Sequence, residues 1–213
     1  MSGLGELRTP ALLLDADRLR ANIAGMAGFA ARAGVPLRVH LKTAKCLEGA
    51  AMLAEAGVER FAVSTVAEAE FFAAAGYTDI LYTTPVTPAK VPALLTAGAM
   101  GVIESLEMAR LVEIAARDAS LPLPVLIELD VDGIRGGVPF PGPEFETLAA
   151  FAAQAEGLIL RGAMTYSGAT YNTADAAAQT RIAAQHDAAL AEAGAALRAL
   201  GVAEPILSTG GSP

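Results

Sequence analysis

The chain has 213 residues, of which 54% are hydrophobic and 18% charged, a length and balance that suit one domain with a substantial core and exclude a disordered chain. Its net charge of −8, with the basic residues scattered, argues against nucleic acid or an anionic membrane surface as a partner. One cysteine allows no internal disulfide, no apolar run has the length of a membrane span, and Met1 to Glu6 shows no basic-then-apolar leader, so the expected compartment is the cytoplasm.

In chain order, β-type runs are expected at 9–15, 36–43, 60–65, 79–85, 101–105, 123–131, 158–166 and 205–209. Helical stretches are expected at 16–33, 46–56, 65–75, 87–98, 105–119, 143–156 and 173–200. Several of these helices end alike, at Gly34, Gly57, Gly76 and Gly98, where glycine can take the left-handed conformation that closes a helix. A helix, a short turn and a strand, repeated, point to a parallel sheet with helical crossovers. The run Leu123 to Leu129 reads as a strand buried on both faces. The expected fold class is therefore α/β, a TIM-type (β/α)8 barrel with its chemistry at the C-terminal strand ends. An open doubly wound sheet is the alternative, but no Gly-rich fingerprint follows the first strand.

The strand ends carry the polar residues of interest. Lys42 closes the run Pro36 to Leu41. At the solvent end of a strand it would be an ordinary surface lysine. Facing the core it would be desolvated, its neutral amine a nucleophile for an aldehyde such as that of pyridoxal phosphate (PLP). Ser208-Thr209-Gly210-Gly211-Ser212 follows Pro205-Ile206-Leu207, and paired glycines flanked by hydroxyls suit a phosphate where late barrel loops hold one. An ordinary glycine turn is the competing reading. Asp130 and Asp132 read as loop-ordering carboxylates, since two acids without a third ligand make a weak metal site. Arg135 could contact a phenolate, phosphate or carboxylate. Tyr166 and Tyr171 flank a short turn and could stack on a ring or donate a proton. Cys46 opens a helix and reads as a small packed residue. His186 lies mid-helix and is expected on the outer layer, with no role.

His40-Leu41-Lys42-Thr43-Ala44-Lys45 resembles the His-x-Lys-Thr-x-Lys signature of the D-threonine aldolase and D-serine dehydratase family. That family stands with the alanine-racemase-type, fold-type III PLP enzymes. Thr9-Pro10 to Asp15, Val63 to Glu70, Asp79 to Tyr82, Asp130 to Val138, Tyr166 to Tyr171 and Ser208 to Ser212 also fit it, in order along the chain. The resemblance implies a PLP-dependent lyase acting on D-amino acids. Its reaction would be retro-aldol cleavage of D-3-hydroxy amino acids to glycine and an aldehyde, or dehydration. A racemase or a non-catalytic PLP carrier is the alternative.

The resemblance further implies that Lys42 holds PLP as a Schiff base, with His40 beside it. Arg135 and Tyr166 or Tyr171 would line the ring, and Ser208, Thr209, Gly210, Gly211 and Ser212 would hold the phosphate. Lys42, Tyr166 and Tyr171 are the catalytic candidates. The resemblance also implies a homodimer, and a β-rich second domain in relatives that carries any divalent metal ligands; no metal site is expected within 1–213. On that reading the chain is a fragment, its 9–15 strand belongs with the β domain, and the barrel is incomplete at its C-terminal end. Ala44 stands where the family commonly has a second histidine.

Overall fold

The computed structural model describes residues 3–211, which divide into one unit up to Ala62 and another from Val63 onward.

In the first unit a 3₁₀ turn at Leu4–Glu6 is followed by an irregular stretch. The expected strand over 9–15 does not form: residues 11–15 carry no regular structure and Leu12 is 93% exposed. An extended apolar run becomes a strand only when a neighbour takes up its backbone donors and acceptors. Helix α1, Ala16–Ala33, starts where Asp15 accepts from the backbone N–H groups of Asp17 and Arg18 at 3.1 and 3.0 Å. It ends at Gly34, whose φ of 67° places it in the left-handed region, as the glycine pattern predicts. Strand β1, Arg38–His40, pairs in parallel with β2, Arg60–Val63, in the register Val39 to Phe61 and His40 to Ala62. Helix α2, Leu47–Glu55, connects them, and Leu41, Leu53, Val58 and Phe61 are buried. β1 is shorter than the expected 36–43, and Lys42 falls in the turn beyond it.

In the second unit the long strands are β3, Asp79–Pro85; β4, Met100–Ile103; and β5, Leu123–Asp130. Past a two-residue β6, Val138–Pro139, come β7, Leu158–Tyr166, and β8, Ile206–Gly210. They are all parallel, in the order β3-β4-β5-β7-β8, with β6 beside the end of β5. Parallel neighbours require crossovers, and helices α4 to α7 supply them, Val91–Thr96, Leu106–Asp118, Pro143–Gln154 and Ala176–Ala199, while α3, Val66–Ala74, precedes β3. The single helix expected over 87–98 is split into a 3₁₀ turn, Pro88–Lys90, and the short α4. Pro88 and Pro92 supply no N–H donors and sit where each piece begins. Thr65 and Glu68 close a reciprocal box at the start of α3: the Thr65 hydroxyl accepts from Glu68 N, and the Glu68 carboxylate accepts from Ser64 and Thr65 N.

Leu81, Val102, Leu126 and Met164 form a core cluster with Met100 and Ile206 packed against it. Truncating Leu126 to alanine there would cost about 3 kcal/mol. The β5–β7 ladder carries one irregularity: Val125 pairs with Leu160 but Leu126 with Gly162, so Arg161 is an extra residue in β7. A Cβ on Gly162, whose φ is +151°, would run into the Ile206 backbone of β8. β8 ends the order.

Candidate active site

The C-terminal ends of β5, β7 and β8 in the second unit hold most of the candidates. After β5, Asp130 accepts from Gly133 N at 2.8 Å and Asp132 Oδ1 from Ile134 N at 3.1 Å, the loop-ordering role expected of both. The loop returns at Gly137 with φ +130°, where a Cβ would lie 2.6 Å from Asp130 N, so only glycine fits. Arg135, exposed on this loop, sets its guanidinium 4.6 Å from the centroid of the Tyr166 ring. Tyr166 and Tyr171 share a hydrogen bond between their hydroxyls at 2.8 Å, with the rings stacked at 6.2 Å. That hydrogen bond, aided by burial and Tyr171's own charge, holds the Tyr166 phenol above its ordinary value, while Arg135 pulls the other way. The structure thus brings Arg135, Tyr166 and Tyr171 together.

Two further groups lie behind them. Glu128, buried on β5, has its carboxyl pushed up to about 7, first by burial and then by Glu104, against the opposing pull of Arg135. Glu104 follows β4 and its carboxylate packs against Gly136. The sequence held a signal for Glu128: it is the one charged residue in the apolar run Val125 to Leu129. His186 corrects the expectation of an outer-layer histidine. It is 1% exposed, and its Nδ1 lies 2.8 Å from the hydroxyl of Thr165 on β7. The signal was the stripe His186, Ala189, Leu190, Ala193, Leu197, a helical spacing of buried positions.

β8 runs through Ser208, Thr209 and Gly210, so of the expected loop only Gly211 lies beyond the strand among the described residues; Ser208 is half-buried, Thr209, Gly210 and Gly211 are exposed, and Ser212 lies outside the described residues. Ser167 N donates to Gly210 O at 2.9 Å, tying the two strand ends. Ser167, Thr170, Gln179, Thr209, Gly210 and Gly211 are among the residues around a cavity of about 360 Å³. The Ser167 hydroxyl is buried there without a hydrogen-bond partner among the described residues. A buried hydroxyl usually has one. A partnerless donor beside a glycine pair fits an incoming phosphate, although Asp187, also on the wall, opposes an anion. Ser167 stands in the sequence as one strand-end polar residue among several, since nothing in a single sequence distinguishes an unpartnered serine from a bonded one.

In the first unit, Lys42 is exposed in the turn 41–44, which Lys45 N closes by donating to Leu41 O at 3.0 Å. The amine is therefore not desolvated as a core-facing lysine would be; the strand stops at His40, before the side chain could turn inward. Lys42 N donates to His40 Nδ1 at 3.2 Å, which leaves the His40 ring proton on Nε2 if the ring is neutral. Cys46 caps α2, half-buried and unpaired. Among the described residues no three His, Cys, Asp or Glu side chains gather as a metal site, and no helix is long and apolar enough to cross a membrane.

Residues 14–213 match the family described as alanine racemase, N-terminal domain. The chain is 34% identical over 212 residues to the D-threo-3-hydroxyaspartate dehydratase of Delftia sp. (strain HT23), covering 97% of this chain and 56% of the relative. It is 31% identical to the 3-hydroxy-D-aspartate aldolase of Paracoccus denitrificans (strain Pd 1222), covering 97% and 55%. The crystal structure of D-threonine aldolase from Filomicrobium marinum superposes with a TM-score of 0.86 at 31% identity, over 97% of this chain and 57% of that one. The chain spans about half the length of the curated relatives it matches. With its parallel strands, its helical crossovers and a match that runs from Asp15's neighbour Leu14 onward, the chain belongs to the alanine racemase N-terminal-domain family, of fold-type III PLP proteins.

Proposed function

We propose that residues 1–213 form the PLP-binding domain of a lyase acting on D-3-hydroxy amino acids, by retro-aldol cleavage to glycine and an aldehyde or by loss of the β-hydroxyl. The observation that carries this reading is the convergence of Arg135, Tyr166 and Tyr171 next to a cavity bounded by Gly210, Gly211 and the unpartnered Ser167 hydroxyl. The relatives at 30% identity or better favour a lyase over a racemase, since their names are those of a dehydratase and aldolases.

Each residue then has a task. Ser167, Ser208, Thr209, Gly210, Gly211 and Ser212 hold the cofactor phosphate. Lys42 is the covalent anchor, and His40 orders its turn through the bond to Lys42 N. When bound, the cofactor ring supplies the electron sink for the bond broken at the substrate Cα. Tyr166 and Tyr171 hold one proton between two hydroxyls and can pass it in either direction. Arg135 keeps a fixed positive charge over the Tyr166 face and favours anionic groups beside it. Glu128 can hold or release a proton near neutrality under that arginine. The working protein is read as a cytoplasmic homodimer, in keeping with the single cysteine and the resemblance.

The test is absorbance of the chain with PLP, then borohydride reduction and peptide mapping. A reduced adduct on Lys42 that Lys42→Ala abolishes, followed by turnover of D-threonine, D-serine or D-threo-3-hydroxyaspartate, supports the reading. PLP bound without any adduct on Lys42 overturns the anchor. No PLP uptake overturns the reading as a whole.

A further inference from the structure

We propose that His186 is a positioning residue: through Asp132 it holds together the loop that carries Arg135 and the turn that carries Tyr171. The inference rests on the functional reading above only for what those residues position.

The argument begins with proton placement. His186 is buried on α7, so both ring nitrogens need partners from the protein. Thr165 Oγ1 lies 3.1 Å from Leu129 O and 2.8 Å from His186 Nδ1. A hydroxyl has one proton to give to these two. Nε2 lies 3.4 Å from Asp132 Oδ2 and closes no hydrogen bond, with Asp132 or with any other group, among the described residues. Asp132 as a carboxylate only accepts. With the Thr165 hydroxyl turned to Nδ1, the neutral ring carries its hydrogen on Nε2, where it makes the approach to the Asp132 carboxylate attractive.

Asp132 is where the chain segments meet. Its Oδ2 accepts from Ala169 N at 2.8 Å, across 37 residues, and its Oδ1 accepts from Ile134 N. Ile134 and Arg135 in turn pack on Gly168, where an added Cβ would lie 2.8 Å from Arg135 Cγ. One carboxylate therefore joins α7, the loop 131–137 and the turn 168–172. The Arg135 guanidinium over Tyr166 and the Tyr171 hydroxyl on Tyr166 both hang from that junction. The 3.4 Å contact is longer than a closed hydrogen bond, so His186 acts on Asp132 mainly by aiming a polar N–H at it.

The experiment uses the full chain and compares two variants. In His186→Gln the side-chain amide can still donate towards Asp132; in His186→Asn it reaches only towards Thr165. The first readouts need no cofactor. Side-chain ¹⁵N spectra, in a chain with two histidines, should show His186 Nε2 protonated at neutral pH. Amide hydrogen exchange at Ala169 and Ile134 should speed up about tenfold or more in His186→Asn, remain slow in His186→Gln, and stay unchanged at Val102 and Leu126 in both. An unprotonated Nε2 overturns the proposal. So does exchange that is unaltered at Ala169 and Ile134, or raised equally in the core strands.

The second readout is PLP affinity. His186→Asn should weaken it about tenfold, and adding it to Arg135→Ala should weaken binding no further than Arg135→Ala alone, because the two act through one contact. Additive losses overturn the proposal. A wild-type chain that takes up no PLP overturns the functional reading instead, and the exchange result then decides this one.

Discussion

Between Val131 and Gly137 the chain after β5 is held by its own carboxylates: Asp130 on Gly133 N, Asp132 on Ile134 and Ala169 N, with His186 aimed at Asp132 from α7. At the end of β8, Gly210 O takes a backbone tie from Ser167 N, and Thr209, Gly210 and Gly211 line a cavity beside the unpartnered Ser167 hydroxyl. Both stretches leave the same end of one parallel sheet. A loop that spends its acceptors on itself is shaped before any ligand arrives. The buried Ser167 hydroxyl beside the end of β8, left without a partner, carries a desolvation penalty that a suitable ligand relieves. The difference assigns shape to one side of the site and recognition to the other.

The largest expected effect breaks the self-held side. Asp132→Ala would leave Ala169 N, Ile134 N and His186 Nε2 facing nothing, a loss of about 3 kcal/mol in denaturant unfolding. A loss below about 1 kcal/mol would mean that the loop is not held this way.

Glu128 gives the next effect, through pH. Its carboxyl is raised from 4.5 to about 7, so the folded chain keeps a proton that the unfolded chain releases near 4.5. The group's contribution is most favourable below 4.5 and is lost as pH rises through about 7, a fall of about 3 kcal/mol at most. Glu128→Gln should flatten that fall, so that the variant gains on the wild type between pH 5 and 8 in thermal melts. Parallel stability curves for the two proteins would contradict the assignment.

The smallest effect on stability sharpens the other side. Ser167→Ala removes a hydroxyl that has no partner, so unfolding should change by less than about 0.5 kcal/mol. The same change should weaken PLP about tenfold and leave pyridoxal, which has no phosphate, unaffected. Equal loss for both ligands would remove Ser167 from the phosphate site.

Local signals carried much of this from the sequence. α1 was legible at both ends because Asp15 and Gly34 act within their own turns. β5 was legible because a long apolar run must be buried, and β3 because Ile80-Leu81-Tyr82 follow the helix-closing Gly76 at the spacing of a strand. What was not legible depends on partners distant in the chain. The run 9–15 has strand composition and no neighbour to pair with, so it stays irregular. Of the site, Arg135, Tyr166 and Tyr171 could be marked as strand-end residues, and the structure groups them. Their support from His186 depends on Thr165 and Asp132, 21 and 54 positions earlier, contacts that composition does not encode. Lys42 was legible as a motif, but its exposure depends on where β1 stops.

The extra residue in β7 has a further consequence. Along a strand, inside and outside alternate, so one added residue changes the parity of everything after it. Arg161 is that residue, and Thr165 and Tyr166 lie downstream of it. Deleting Arg161 would join Leu160 to Gly162 in regular alternation, keep Gly162 opposite Leu126 and Thr165 opposite Leu129, and so leave Thr165 and Tyr166 on their present faces while removing the local bend and twist that the bulge adds. The faces of the site residues are thus set by pairing with β5 and not by counting along β7, and a period-two reading carried across Arg161 would put Thr165 and Tyr166 on the wrong sides.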